Sequence, residues 1–76
     1  NAFAQRIKTL RLTKGLTQIE LSEKVGMGQM TVFNWESGRM PQPNALPKLA
    51  RILGVEPEEL AKLWMKVSLG RERKEK

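Results

Sequence analysis

Apolar residues recur along this chain at helical intervals, and a capping or breaking residue stands at the end of every such run. Phe3, Ile7 and Leu10 share one face, with basic and polar residues on the others, which predicts a first helix over 2–14 with Asn1 as its N-cap. Gly15 stands where a helix end favours a left-handed residue, and Leu16 follows as its apolar contact. The second start is doubly specified. Thr17 with Glu20 three residues on makes a capping box, and Leu16 with Leu21 makes a hydrophobic staple around it. This predicts a helix from Gln18 to Lys24 or Val25, ended by Gly26.

After Met27, Gly28 is read as the N-cap of a third helix over 29–37, with Val32 and Trp35 facing inward and Gly38 closing it. Arg39 to Pro43 contains two prolines and reads as a loop. Asn44 is the expected cap of a fourth helix over 45–53, with Pro47 tolerated in its first turn and Gly54 ending it. Pro57, flanked by Glu56, Glu58 and Glu59, suits the positive end of a fifth helix reaching about Leu69. No strand signal and no internal repeat competes. The expected fold is all-α, with five helices in one domain over 1–69 and a charged, disordered tail over 70–76.

Composition narrows the function. The chain has 76 residues, with no Cys and no His, so neither disulfides nor a His/Cys metal site can support so small a core. All eight acids are Glu, and Tyr is absent too, which leaves general acid–base and metal catalysis without their usual parts. The reading is therefore not an enzyme, with no cofactor, no metal and no small-molecule substrate. No apolar run approaches the roughly 20 residues that span a bilayer, and no signal peptide is visible, so no membrane is expected. The chain begins at Asn1 without an initiator Met, as a fragment of a longer protein would. Net charge is +6, and the first sixteen residues carry Arg6, Lys8, Arg11 and Lys14 with no acid. Such a surplus attracts polyanions, nucleic acid before an anionic membrane. Arg6, Lys8 and Lys14 are read as a solvated helix face.

Two short helices joined by a Gly-containing turn have the general form of the helix-turn-helix. The stretch Gln18-Ile19-Glu20-Leu21-Ser22-Glu23-Lys24-Val25-Gly26-Met27-Gly28-Gln29-Met30-Thr31-Val32-Phe33-Asn34-Trp35-Glu36-Ser37 closely resembles that of the lambda repressor and Cro-like family, of the xenobiotic-response-element type. The likeness extends upstream through Arg6-Ile7-Lys8 and Lys14-Gly15-Leu16-Thr17-Gln18, and downstream through Gly38-Arg39 and Leu49-Ala50-Arg51-Ile52-Leu53-Gly54-Val55. It implies a five-helix lambda repressor-like domain in which helices two and three form the motif.

Physical reasoning assigns the inner positions. Ser22 must be small where the third helix crosses the second, Gly26 takes a costly backbone conformation, and Leu21, Val25, Val32 and Trp35 fill the angle between helices. Gln29, Met30, Phe33, Asn34 and Ser37 share the opposite face. The resemblance implies that this face enters the DNA major groove, with Gln29, Met30, Phe33 and Asn34 on base edges. Gln and Asn can bond bidentately to adenine, while Met30 and Phe33 suit thymine methyls, so a preference for A·T is expected at some positions. Gln18, Arg11, Ser37, Arg39, Gln42 and Asn44 are the candidate phosphate contacts. Gln18 owes its place to the family pattern and to the anion preference of a helix N-terminus. Arg11 and Glu36 also match an interhelical salt bridge of some relatives, which makes Glu36 structural.

The resemblance implies a transcriptional regulator, read here as a repressor, bound to double-stranded DNA in the cytoplasm of a prokaryote or its phage. The rival reading is a protein-interaction module, an antitoxin or coactivator adaptor, favoured by the apolar pair Met30 and Phe33. Leu60, Trp64 and Val67 are expected to form a homodimer face on the last helix. The alternative for Trp64 and Val67 is cover for the helix-four stripe within one subunit.

Overall fold

The computed structural model describes residues 1–70, and all of their regular structure is helical. The order is α1 (Ala2–Thr13), α2 (Gln18–Lys24), α3 (Thr31–Glu36), a 3₁₀ turn (Pro43–Ala45), α4 (Leu46–Leu53) and α5 (Pro57–Ser68). The expected tail, Gly70 apart, lies outside the described residues.

Caps set most of these boundaries. Asn1 Oδ1 accepts the Ala4 N–H at 2.7 Å, and Asn1 Nδ2 donates to the Gly38 carbonyl, tying the chain start to the end of α3. The capping box of α2 is complete: Thr17 Oγ1 accepts the Glu20 N–H at 3.0 Å, and Glu20 Oε1 accepts the Thr17 N–H at 2.8 Å. At the far end of α2, Gly26 is left-handed (φ +80°), and the Met27 N–H reaches back to the Ser22 carbonyl. A side chain at that φ would be strained by about 1–2 kcal/mol.

Two expected helix starts are corrected. The third helix begins at Thr31 rather than Gln29, and Gly28 is not its N-cap. Gly28 instead accepts the Thr31 N–H in a turn, and the next donor, the Val32 N–H, goes to the Ser22 hydroxyl at 3.0 Å. The cap of α3 is thus supplied by α2. Ser37 falls just past α3 as its C-cap, not within it. The fourth helix begins at Leu46, and Asn44 does not cap it. Pro43 opens a 3₁₀ turn that contains Asn44, and Pro47 in the first turn of α4 has no N–H to satisfy, so fewer donors need a side-chain partner.

One core joins all five helices. Phe3, Ile7 and Leu10 of α1 meet Leu21 and Val25 of the α2 region, Val32 and Trp35 of α3, Leu46, Leu49, Ala50 and Leu53 of α4, and Leu60 of α5. Burial of a large apolar side chain contributes about 1.5–3 kcal/mol, and a six-residue helix such as α3 owes its stability to such packing rather than to its own length.

The expected dimer face on α5 is corrected at Leu60. Leu60 is fully buried, and Trp64 and Val67 pack against the same core. The Trp64 indole N–H donates to the Pro41 carbonyl at 2.7 Å, which fastens the loop after α3 to α5. Leu60 is thus committed within one subunit and Trp64 and Val67 are half-buried there, while the exposed large apolar residues of this helix are Met65 and, just beyond its end, Leu69. Across the domain Arg6 pairs with Glu59, joining α1 to α5 rather than presenting a free cation.

Candidate nucleic-acid interface

The helix-turn-helix angle is fixed by groups on three helices. Ser22 is fully buried, and its hydroxyl works in both directions: it donates to the Gln18 carbonyl at 2.9 Å and accepts the Val32 N–H. A larger residue would push α3 away, and an apolar one would orphan a buried donor. The second fastener is the Glu36 carboxylate. It accepts Arg11 Nε at 2.6 Å, Arg11 Nη2 at 3.1 Å and Gln18 Nε2 at 2.9 Å, so one side chain of α3 holds both α1 and α2. Arg11 Nη1 donates to the Leu16 carbonyl at 2.8 Å. The side chains of Arg11 and Glu36 are 9% and 6% exposed, which makes this a buried ion pair rather than a surface one.

That geometry corrects one expectation. Arg11 is turned inward, and each of its three guanidinium nitrogens already donates one hydrogen bond within the domain, which fits the interhelical salt bridge rather than a phosphate contact. Gln18 begins α2 half-buried, with its amide engaged by Glu36, which limits how freely that amide can meet an anion. Leu21, Ser22, Val32 and Trp35 are buried, Glu36 is held in the ion pair, and Gly26 makes the turn.

The outer edge is different in kind. Gln29 and Met30 lie in the turn before α3, and Phe33 and Asn34 lie on the helix itself. Met30 is 58% exposed and Phe33 45%. Within the described residues no hydrogen bond engages the side-chain amides of Gln29 or Asn34, so both can be directed at a partner. The Ser37 hydroxyl donates to the Phe33 carbonyl at 2.9 Å and keeps acceptor capacity outward. Arg39 and Gln42 are exposed in the following loop, and Asn44 is exposed in the 3₁₀ turn.

Two lysines acquire places that spacing did not reveal. A methyl group placed on Gly26 would lie 3.6 Å from Lys48 Nζ, so this α4 ammonium stands over the turn of the motif. Asn44 and Lys48 line one small recess with Val25 and Met27. Lys14 Nζ sits similarly by Gly54, at the C-terminal end of α4, where a cation is favoured.

Among the described residues no helix is long and apolar enough to cross a membrane. The helix-turn-helix family profile matches residues 7–60, which covers α1 from Ile7 to the first turn of α5. Over 59 residues the chain is 34% identical to the cryptic phage CTXphi transcriptional repressor RstR of Vibrio cholerae, an alignment spanning 76% of this chain and 53% of that protein. The chain thus spans about half the length of this relative. The chain belongs to the helix-turn-helix family, of the Cro and C1 type, a family of DNA-binding transcriptional regulators.

Proposed function

We propose that this domain binds double-stranded DNA with α3 and the turn before it in the major groove, and that it represses transcription by occupying a promoter. The observation that carries this reading is the division of labour around α3. Every inward group of that helix is packed or bonded, while Gln29, Met30, Phe33 and Asn34 stand outward with no structural duty. A major groove about 12 Å wide admits a helix presented in this way. Gln29 and Asn34 contact base edges, where each bidentate pairing is worth about 1–3 kcal/mol of discrimination. Ser37, Arg39, Gln42 and Asn44 contact phosphates, with Gln18 beside them, and these contacts supply affinity without sequence preference. The relative's role as a phage repressor supports repression over activation, and the protein acts in the cytoplasm, where its DNA is. No catalytic function is assigned.

A homodimer is part of the proposal, with its face moved to Met65 and Leu69, which are 47% and 61% exposed. Two domains on one duplex would then meet half-sites about 34 Å apart. The exposed Met30 and Phe33 favour one rival, a protein-docking module. Selection of bound duplexes from a random pool separates the two readings. The DNA-binding reading expects an enriched motif that Gln29→Ala with Asn34→Ala degrades. Recovery of no motif, or an identical motif from the double variant, overturns the assignment.

A further inference from the structure

The turn and the outward face of α3 carry no charged side chain of their own, and this limits which base edges they can recognise. From Val25 through Trp35 there is no ionisable side chain. Guanine is most often read by a bidentate Arg or Lys on O6 and N7, and neither α3 nor the turn before it offers one. What this surface does offer is amide and hydroxyl groups interleaved with apolar side chains. Met30 and Phe33 are about half exposed, and Met27 is exposed in the turn. No core contact accounts for the outward placement of Met30 or Phe33.

An apolar side chain in the major groove meets one apolar element on the base edges, the C5-methyl group of thymine. Apart from the small C–H groups at cytosine C5 and purine C8, the rest of that edge is hydrogen-bond donors and acceptors, which such a side chain would desolvate without compensation. The same methyl, on the same ring position, is carried by 5-methylcytosine. We propose, resting on the major-groove docking above, that Met30 and Phe33 are specificity-determining residues that recognise pyrimidine C5-methyl groups as such. Uracil is then a poor substitute for thymine at the positions they contact, although it pairs identically. At those same positions 5-methylcytosine is preferred to cytosine, so cytosine methylation of a site strengthens binding instead of being ignored.

The test starts from the motif recovered by duplex selection and replaces its thymines with uracil one at a time, measuring affinity by fluorescence anisotropy at fixed salt. Loss of one buried methyl corresponds to about a fourfold weaker Kd, expected at one or more positions. The same loss should vanish in Met30→Ala or Phe33→Ala, because the methyl no longer has a partner. Both side chains are exposed, so these variants should keep the wild-type circular dichroism, and the thymine-to-uracil comparison on the unmodified protein needs no variant. In the second arm, cytosine and 5-methylcytosine are compared at the sensitive positions, with a gain of about fourfold expected for the methylated base. Equal affinity for thymine and uracil at every position, with the sequence motif intact, overturns methyl recognition and leaves the DNA-binding reading standing. Absence of any motif overturns both. DNA binding unaffected by either variant, with uracil tolerated, assigns the Met30 and Phe33 surface to a protein partner instead.

Discussion

Replacing Glu36 with Ala should destabilise the domain by about 3–5 kcal/mol, because it leaves the Arg11 guanidinium buried with only the Leu16 carbonyl as partner. The size follows from the environment. An exposed ion pair is worth about 0–1 kcal/mol, but these side chains are nearly closed to water, and the carboxylate accepts three hydrogen bonds. A domain of this length has roughly 4–11 kcal/mol of total stability, so the loss would remove a large fraction of it. At roughly 4–8 °C per kcal/mol, the melting temperature should fall by about 12 °C or more. Arg11→Met should cost a similar amount, since it strands the carboxylate. The double variant Arg11→Met with Glu36→Leu removes both charges together and should lie within about 1–2 kcal/mol of wild type, the residual cost being the Leu16 carbonyl and the Gln18 amide left without these partners. Urea titrations followed by tryptophan fluorescence and far-UV circular dichroism give all three values. The reasoning fails if either single variant costs less than about 1 kcal/mol, or if the double variant costs the sum of the singles.

Ser22→Ala should lose about 1–3 kcal/mol by orphaning the buried Val32 N–H, and amide exchange at Val32 should quicken by more than exchange in α1. Restoration of full stability by Ala would show that the hydroxyl does not cap α3. Arg39→Ala should weaken binding to all duplexes alike and flatten the plot of log affinity against log salt by about 1, while leaving the selected motif unchanged. A changed motif would place Arg39 on a base instead. Met65→Glu should shift sedimentation equilibrium towards monomer without lowering the melting temperature, and an unaltered molecular mass from a dimeric wild type would exclude the proposed α5 face.

Local chemistry made much of this fold legible. The capping box of Thr17 and Glu20, the Asn1 cap and the glycines ending α2 and α4 act within a few residues, so their spacing carries the whole signal. The errors share the opposite property. The start of α3 depends on a hydroxyl ten residues upstream, and no local pattern reveals that Ser22 replaces Gly28 as the cap. Asn44 has the right chemistry for an N-cap, but Pro47 has no N–H to give it and the Leu46 N–H goes to the Pro43 carbonyl. For Arg11 the sequence offered two partners, a carboxylate and a phosphate, and only burial chose between them. Helical spacing likewise put Leu60, Trp64 and Val67 on one stripe without saying what covers it. The Pro41 carbonyl that receives the Trp64 indole lies 23 residues away.

The Glu36 carboxylate has a consequence for how this domain can change over generations. Because the pitch of α3 is set from beneath, by Arg11, Gln18 and Ser22, the outward residues can be exchanged without disturbing the angle at which they are presented. On the proposed docking, a new operator preference is reachable by substitutions at Gln29, Met30, Phe33 and Asn34 alone. Close descendants of one ancestor can in this way come to control different genes while their hidden framework stays the same.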